Sequence, residues 1–378
     1  MNLDFLRPMY DEIGDYVSVY LDTDRSSEHA NDDIAVRWQH AREQLAEAGA
    51  SEETLQAVAE VISDPDRVAQ GQAVFARNGA VTFAAALDGP PRREIARLAP
   101  LPHLMPLLAQ HRPPIPHLRV SATRVGGEIV AVGGSGKVWR DWVAGQQWPV
   151  HKAKVGGMSE DKFQRADEET WNENAKELAN EAAKMAAGIN AGHVVVGGDV
   201  RARALFIRHL PKLLRESAVV VDDEVTADSQ VLASAADRAL AGWAENEARE
   251  RFDNWQAERA HGRGVAGLSR AMAGFRDGQV ADLLLLDDPT STATALIGLR
   301  DSDIAASPNE LLELGVAESQ IRTDRADAAL VRAIVRTDAE LHFLPADLVQ
   351  RGDPTADGGI SVPRDGVAAA FRFSVEES

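Results

Sequence analysis

The sequence predicts an α/β protein built from three domains. Its 378 residues suffice for roughly two or three domains, each with a core of its own. Short β-branched runs alternate with longer stretches in which apolar residues recur every three or four positions, and this alternation indicates strands connected by helices. Breaks in the pattern place the predicted domains at residues 1–117, 118–258 and 259–378.

The first domain is predicted to be a small α/β domain. Tyr16 to Leu21 is a β-branched and aromatic run followed by an aspartate, as expected of a core strand. Helical spacing covers residues 34–48 and 52–62. Asn78-Gly79 separates two apolar runs and predicts a hairpin turn. Proline-rich sequence over residues 100–116 then ends the domain.

The middle domain is predicted to contain a partly parallel sheet. Its first strands form an antiparallel hairpin around Gly126-Gly127, because alternating apolar residues flank that turn. The clearest helical pattern of the chain follows, from Phe163 to Ile189. Further strands are predicted at residues 193–196 and 218–221, each followed by a helical stretch, and the last of these stretches runs from about Ser229 to Glu258.

The last domain is predicted to be α/β as well. The predicted elements, in chain order, are a helix at 265–275, a strand at 281–286, helices at 308–314 and 328–337, a strand at 340–343 and a terminal apolar run at 366–373. The stretch between the first strand and Ile304 is polar, and no element is predicted in it.

The composition restricts the classes of function. The formal net charge is -19, which repels phosphate on average, so a protein that coats DNA or RNA non-specifically is excluded and any RNA contact must be local. The chain has no cysteine, no signal-peptide pattern and no apolar run of membrane-spanning length. We therefore expect a cytoplasmic protein without membrane contact.

Two stretches are basic against this acidic background. Residues 151–165 hold four Lys or Arg against Glu160 and Asp161, and residues 259–276 hold four arginines and no acid. Charge clustering alone favours ordinary solvated surface at both places. A second RNA-binding or partner-binding patch is nevertheless predicted from the four arginines of the second stretch, which are Arg259, Arg263, Arg270 and Arg276.

Several motifs with a chemical meaning fail on their context. Gly133-Gly134-Ser135-Gly136-Lys137 resembles a phosphate loop, but it lacks the first glycine and the magnesium-binding hydroxyl. Glycines 262, 264 and 267 fit the dinucleotide fingerprint but follow a charged helix instead of a strand. Three histidines, His103, His111 and His117, lack ligand spacing and are more typical of a linker. Asp199, Asp222 and Asp223 follow strands, where helix caps are common. We expect no metal and no cofactor.

The most informative stretch is a loop in front of the long helix of the middle domain. Two adjacent glycines, Gly156 and Gly157, allow the main chain to approach another molecule closely. Basic residues lie on both sides of them. The proposed RNA-binding residues of this region are His151, Lys152, Lys154, Gly156, Gly157, Met158, Ser159, Lys162 and Arg165.

The pattern Gly-Gly-X-Ser-x-x-x-Phe-x-Arg resembles the Gly-Gly-Gln loop of archaeal and eukaryotic class-1 peptide-chain release factors and their Pelota relatives. The Gly-rich helix of the last domain, its strand ending in acids and the terminal Gly-Val-Ala-Ala-x-x-Arg-Phe are similar to the carboxy-terminal domain of the same family. The resemblance covers about two thirds of the chain. It implies three domains, with a ribonuclease-H-like middle domain and an α/β domain that binds partner factors.

Two departures from the family pattern bear on function. The Asn-Ile-Lys-Ser signature of stop-codon reading does not occur, so decoding is not expected. Met158 replaces the glutamine that, in the family, helps to position water at the ester of peptidyl-tRNA, and a thioether donates no hydrogen bond. The backbone N–H of residue 158 survives and could still stabilise an oxyanion. We therefore predict no catalytic residue and weak or absent hydrolysis.

The bacterial branch of the family, with its Balon-type members, matches this combination best. That resemblance implies a ribosome hibernation factor of the stress response, which occupies the A site and associates with elongation factor Tu. The alternative is a ribosome rescue factor that releases peptide from peptidyl-tRNA in spite of Met158. A third possibility is a scaffold protein in which the loop is only a surface turn.

Overall fold

A computed structural model describes most of the chain. It describes every residue except 13, 111–114, 146–159, 223–225, 228, 289, 345–363 and 374–378, and it describes residues 160–167 as helix without their side chains. The chain forms two compact units. The first combines Met1–Arg112 with Ala248–Ser378, and the second is Pro113–Glu247. No helix in the described part of the chain is long and apolar enough to cross a membrane.

The amino-terminal part of the first unit is an antiparallel sheet with two helices on one face. The strand order is β3-β2-β1-β4. The strands are β1 (Tyr16–Asp22), β2 (Gly71–Arg77), β3 (Ala80–Leu87) and β4 (Ile95–Ala99), and the helices are α1 (Ala30–Glu47), α2 (Glu52–Ser63) and the short α3 (Met105–Gln110). The predicted strand and both predicted helices are confirmed. The turn at Asn78-Gly79 also forms, with positive φ angles of 49° and 79°, as a tight hairpin of this kind requires.

The carboxy-terminal part of the first unit contains two further sheets. The larger has the order β10-β16-β11-β15, with β11 and β15 parallel, and the smaller has the order β13-β12-β14. The strands are β10 (Gly264–Ala266), β11 (Val280–Leu286), β12 (Thr294–Ile297), β13 (Ile304–Ala305), β14 (Arg322–Arg325), β15 (Glu340–Leu344) and β16 (Val367–Phe371), and the helices are α8 (Leu268–Arg276), α9 (Pro308–Glu313) and α10 (Ala326–Thr337). The small sheet includes two strands, β12 and β13, in the polar stretch for which the sequence predicted no element.

A common core explains why the two ends of the chain form one unit. Tyr16, Tyr20 and Phe75 of the amino-terminal sheet lie in the same buried cluster as Leu330 and Ile334 of α10. Polar contacts reinforce this packing: the Asp324 side chain accepts hydrogen bonds from Arg97 and from the Leu101 N–H. The division of the chain into three domains stays a prediction.

The second unit is a mixed five-stranded sheet with helices on both faces. Its strand order is β7-β6-β5-β8-β9. The strands are β5 (His117–Thr123), β6 (Gly126–Val132), β7 (Val138–Ala144), β8 (His193–Gly198) and β9 (Val219–Val220), and the helices are α4 (Glu160–Ile189), α5 (Val200–His209), α6 (Lys212–Glu216) and α7 (Gln230–Ala260), which contains the boundary between the units. The first three strands are antiparallel, and β8 and β9 continue the sheet in parallel with β5. This is the ribonuclease-H-like arrangement that the resemblance implies.

Candidate functional site

The central residues of the predicted loop lie outside the described part of the chain. These are His151, Lys152, Lys154, Gly156, Gly157, Met158 and Ser159, and the side chains of Lys162 and Arg165 on α4 are also outside it. The structure does define both ends of the segment. The chain leaves β7 at Gly145 and begins α4 at Glu160. These two ends show where the predicted loop is attached to the second unit.

The first end is fixed at Gly145. Its N–H donates a hydrogen bond of 2.8 Å to the Val125 carbonyl oxygen. The Gly145 α-carbon packs so closely on the Asn174 side chain of α4 that an added Cβ would lie 2.4 Å from the Asn174 Cγ. Asn174 is 2% exposed and donates from Nδ2 to the Arg124 carbonyl oxygen at 2.9 Å. The end of β7, the β5–β6 turn and the middle of α4 are thereby joined.

The second end lies far along α4 from this junction. Glu160 begins the helix and Asn174 belongs to its middle, and the intervening stretch corresponds to about 21 Å of helix at the standard rise per residue. Among the α4 side chains that the structure describes, Asn174 is the first buried one. Residues 168–173 of α4, which precede Asn174, are exposed or half-buried. A helix amino terminus carries partial positive charge, which favours phosphate nearby.

Arg124 ties the β5–β6 turn to two helices near this junction. Its guanidinium carbon lies 4.7 Å from the centre of the Trp171 ring on α4, within the range of a cation–π contact. Its Nε and Nη2 both lie 3.0 Å from Asp199 Oδ2. Because Arg124 contacts α4 on one side and the start of α5 on the other, it fixes the base from which α4 extends.

Asp199 is a helix cap. Its Oδ1 accepts hydrogen bonds of 3.0 Å from the N–H groups of Arg201 and Ala202 at the start of α5. Burial alone would raise the pKa of Asp199, but the hydrogen bonds from Ala202 and Arg124 outweigh it and lower the pKa. Asp222 likewise pairs with Arg203 at 2.5 Å, and Asp223 lies outside the described residues. The two described aspartates thus have structural partners, as capping and ion pairing predict.

The four arginines of the second basic patch lie in different environments. Arg276 is largely buried, donates to the Ile304 carbonyl oxygen at 2.8 Å and pairs with Glu310 at 2.7 Å. Arg263 pairs with Glu258 of α7. By contrast, Arg259 and Arg270 are exposed, and both line a cavity of about 500 Å³. A role of all four arginines in RNA or partner binding stays a prediction, and the geometry favours Arg259 and Arg270 for it.

The histidines considered as metal ligands are not linker residues, at least where the structure describes them. His103 and His117 are only 7% and 5% exposed. His103 Nε2 lies 3.7 Å from Asp327, and His117 is the first residue of β5 and contacts the Ile115 carbonyl oxygen through Nδ1 at 2.9 Å. The linker interpretation is therefore wrong for these two, because tertiary packing buries them. His111 lies outside the described residues.

A cluster that the sequence did not indicate lies on the larger carboxy-terminal sheet. Asp282 and Glu340 are paired in register on the parallel strands β11 and β15, and His342 lies two residues further on. One ligand atom from each falls within 4.8 Å of the others. Two cations already face these carboxylates, because Arg251 lies 3.9 Å from Asp282 and the amino terminus lies 3.6 Å from Glu340. The cluster is accounted for as an ion-pair network.

The fold and the site define a multi-sheet α/β protein in whose second unit the chain passes from β7 through residues 146–159 into the long helix α4. The model of the family described as bacterial archaeo-eukaryotic release factor family 2 matches residues 116–261 of this chain. The match includes both ends of the loop, the loop itself and α4. The predicted resemblance to release factors and Pelota is thus confirmed for this part of the chain.

The chain is also similar, at low sequence identity, to several solved structures. The archaeal translation termination factor aRF1 is 14% identical, with a TM-score of 0.24, over 96% of this chain and 93% of that chain. Pelota from Archaeoglobus fulgidus is 15% identical, with a TM-score of 0.33, over 81% and 80%. An archaeal Pelota described as ribosome-bound with ABCE1 is 13% identical, with a TM-score of 0.39, over 99% and 94%. No curated protein matches the sequence.

Proposed function

We propose that the protein is a ribosome-binding translation factor that occupies the A site in hibernating ribosomes without hydrolysing peptidyl-tRNA. The observation that carries the proposal is Met158, which stands at the glutamine position of a Gly-Gly-X loop inside the segment that matches a release-factor family. The two glycines keep the backbone freedom of the loop. The methionine removes the side-chain donor that orients the attacking water.

The anchoring of the loop supports a role in reaching into a confined site. Gly145 and Asn174 fix one end of the segment at the sheet, whereas Glu160 places the other end about 21 Å further along α4. We infer that the loop probes the peptidyl-transferase region of the ribosome.

The charge distribution supports a local RNA contact. The whole chain carries a formal net charge of -19, whereas the stretch 151–165 has more basic than acidic residues. An acidic body is repelled by RNA, so the protein contacts RNA where its basic loop is presented. Binding of this type weakens as salt rises, because each phosphate contact releases counterions.

The proposed hibernation function implies two partners. Ribosomal RNA of the A site is the primary partner, and elongation factor Tu is a second protein partner. Arg259 and Arg270 form the exposed part of the carboxy-terminal basic patch, so they are the residues proposed to contact a partner there. Co-purification of elongation factor Tu with ribosomes that carry the wild-type protein tests this partner, and its absence from such complexes would remove it from the proposal.

The alternative is a rescue factor that hydrolyses peptidyl-tRNA. The N–H of Met158 remains available as an oxyanion donor, and a backbone donor of this kind contributes substantially to acyl-transfer reactions. Release of labelled peptide from stalled ribosomes distinguishes the two functions. A hibernation factor leaves the peptide attached, and Met158→Gln is expected to raise release above the wild-type level. Release by the wild type that is abolished by Gly157→Ala would instead establish the rescue function.

Ribosome binding is tested by co-sedimentation with vacant ribosomes at increasing salt. We expect the triple variant Lys152→Glu, Lys154→Glu and Arg165→Glu to bind about tenfold more weakly or worse. A matched control reverses three exposed basic residues elsewhere in the same unit, Lys176, Lys212 and Arg215, and is expected to bind within about threefold of wild type. Equal loss of binding in both variants would show that the effect is one of net charge and not of the loop.

A further inference from the structure

The outer edge of the five-stranded sheet in the second unit exposes two tryptophans. β7 is the first strand in the order β7-β6-β5-β8-β9, so within the described part of the chain it has a neighbour on one side only. Trp142 is 58% exposed, Trp139 is 38% exposed and Val138 is 39% exposed. Exposed aromatic surface on an edge strand favours aggregation and strand addition, so its presence calls for a function.

The register of β7 places the two indoles on opposite faces of the edge. Trp142 is paired with Glu128 and Trp139 with Ala131 on β6. Because successive side chains of a strand alternate, residues three apart point to opposite sides of the sheet. Trp139 therefore borders the face that carries Ala131 and α4, whereas Trp142 borders the opposite face. A flexible strand of nucleic acid could follow the edge and contact both rings.

Basic residues accompany each indole. The Lys137 Nζ lies 5.2 Å from the centre of the Trp139 ring, on the same face of the strand. Arg140 is exposed and lies on the same face as Trp142, two residues away. Asp141 is the acidic residue of this strand. An alternation of aromatic rings and cations is the arrangement that binds unpaired nucleotides, since the rings stack on bases and the cations lie near phosphates.

The position of the edge links it to the loop. Trp142 precedes Gly145 by three residues, which corresponds to about 10 Å of extended strand. The chain then enters the segment that holds Lys152 and Lys154. The β7 edge thus lies beside the point at which the chain enters the basic segment. A protein strand could also pair with the exposed main chain of β7, but it would make no particular use of Lys137 and Arg140.

From this geometry we infer that the β7 edge is a stacking platform for unpaired bases of ribosomal RNA, with Trp142 as its main contact, Trp139 as a second one, and Lys137 and Arg140 as phosphate contacts. The inference rests on the proposed ribosome binding and adds a second RNA-binding element to the loop. Stacking on an aromatic ring tolerates any base, so the platform contributes affinity without sequence specificity.

Equilibrium binding of the full-length protein to ribosomes tests the platform. Trp142→Ala is expected to weaken binding about 5- to 150-fold, the range that corresponds to loss of one aromatic–base stack. Trp142→Phe retains an aromatic face and should stay within about threefold of wild type, whereas Trp142→Leu keeps apolar area without a π face and should resemble Trp142→Ala. Leu213, which is 67% exposed in the same unit, provides a control, and Leu213→Ala should bind as wild type does.

A photo-crosslinking side chain at position 142 identifies the partner. Crosslinks to ribosomal RNA support the platform, whereas crosslinks confined to a ribosomal protein overturn it in favour of strand addition. If Trp142→Ala binds as wild type does while the Lys152, Lys154 and Arg165 charge-reversal variant binds more weakly, the platform is overturned. The proposed ribosome binding then stands. Failure of the wild type itself to bind ribosomes overturns the proposed function. Melting temperatures of all variants within about 2 °C of wild type establish that the losses are not losses of folding.

Discussion

Gly145 packs directly against Asn174: a Cβ at position 145 would lie 2.4 Å from the Asn174 Cγ and 2.5 Å from its Oδ1. The two residues are far apart in sequence, and between them lie the whole loop and the first half of α4. We call this contact the clamp, and it joins the end of β7 to the middle of α4. The approach is so close that a methyl group added at position 145 would have to displace the Asn174 side chain.

Gly145→Ala is expected to destabilise the second unit by about 1–3 kcal/mol, the usual cost of overpacking a closely packed site. The added methyl group must displace the Asn174 side chain, which is buried and hydrogen-bonded to the Arg124 carbonyl oxygen. The midpoint of thermal unfolding, followed by circular dichroism on the full chain, measures the effect. Ribosome binding should weaken together with stability, because the base of the loop shifts.

Gly188→Ala is the matched control for this change. Gly188 lies near the end of the same helix, and nothing lies within 4 Å of a Cβ built there. Alanine is the better helix former by about 1 kcal/mol, so this variant should be as stable as wild type or more stable. If Gly145→Ala and Gly188→Ala had the same melting temperature, the clamp at Gly145 would have no energetic importance.

The contacts of Arg124 predict a small contribution to the free energy of unfolding, which a lysine at this position should not replace. Arg124 is half exposed, which limits its ion pair with Asp199 to about 0–1 kcal/mol, and its contact with Trp171 adds about 0.5–1 kcal/mol. Arg124→Ala should therefore cost about 1 kcal/mol. Arg124→Lys should recover little of this, because an ammonium group cannot both stack on the ring and pair with the carboxylate as the planar guanidinium does.

A double-mutant cycle with Trp171→Leu measures the ring contact separately. The coupling free energy between positions 124 and 171 is expected to be favourable and about 0.5 kcal/mol or more. A coupling of zero would mean that Arg124 and Trp171 are neighbours without mutual stabilisation. In that case the β5–β6 turn and α4 would be held together by other contacts, among them the hydrogen bond from Asn174 to the Arg124 carbonyl oxygen and the packing of Leu178 on Gly127.

Asp327 predicts a dependence of stability on pH. Burial by itself would raise the pKa of this carboxyl group, but the neighbouring His103 ring and the hydrogen bonds from Arg325 outweigh burial and hold the pKa far below its usual range. The unfolded chain, with an aspartate pKa of about 3.9, binds a proton first as the pH falls. The stabilisation is therefore complete above about pH 5 and is lost progressively as the pH falls below about 4.

Asp327→Asn should lower the free energy of unfolding by about 2 kcal/mol at pH 7, because Arg325 and His103 lose their charged acceptor. The difference between variant and wild type should shrink when unfolding is repeated near pH 3.5. Asp338→Asn serves as the control, since Asp338 is 70% exposed and pairs with Arg7 on the surface. A difference for Asp327→Asn that stays constant with pH would contradict the assignment.

The sequence predicts local structure well where local physics decides it. The turn at Asn78-Gly79 forms because these two residues tolerate positive φ, and α2 begins after Ser51, whose Oγ accepts a 3.3 Å hydrogen bond from the Thr54 N–H. The small sheet containing β12 was missed, because a strand of four residues, Thr294–Ile297, cannot be distinguished from a loop by its pattern.

Contacts between distant residues were not predictable from sequence. Gly145 and Asn174 carry no pattern that pairs them, and the Asp282, Glu340 and His342 cluster arises only when β11 and β15 align. The histidines of the proline-rich stretch look like linker residues until packing buries His103 and His117. Sequence reasoning identified the Gly-Gly-Met loop through its resemblance to a family, but the clamp at its base required the fold.

The second basic patch also separates what the sequence predicts from what only the fold shows. In sequence, Arg270 and Arg276 are equivalent members of one cluster. In the fold, Arg276 is 16% exposed between Glu310 and the Ile304 carbonyl oxygen, whereas Arg270 is exposed on α8. Arg276→Glu should therefore destabilise the first unit by about 3 kcal/mol or more, because it removes a partner from Glu310 and adds a like charge beside it.

Arg270→Glu should leave the melting temperature within about 2 °C of wild type, since surface substitutions away from buried contacts change stability little. If the exposed part of the patch binds RNA or a protein partner, Arg259→Glu combined with Arg270→Glu weakens that binding in a folded protein. Thermal unfolding and ribosome co-sedimentation of the two sets of variants separate the roles. Equal melting temperatures for Arg270→Glu and Arg276→Glu would contradict the structural assignment of Arg276, because only a solvated side chain can lose its charge without cost to folding.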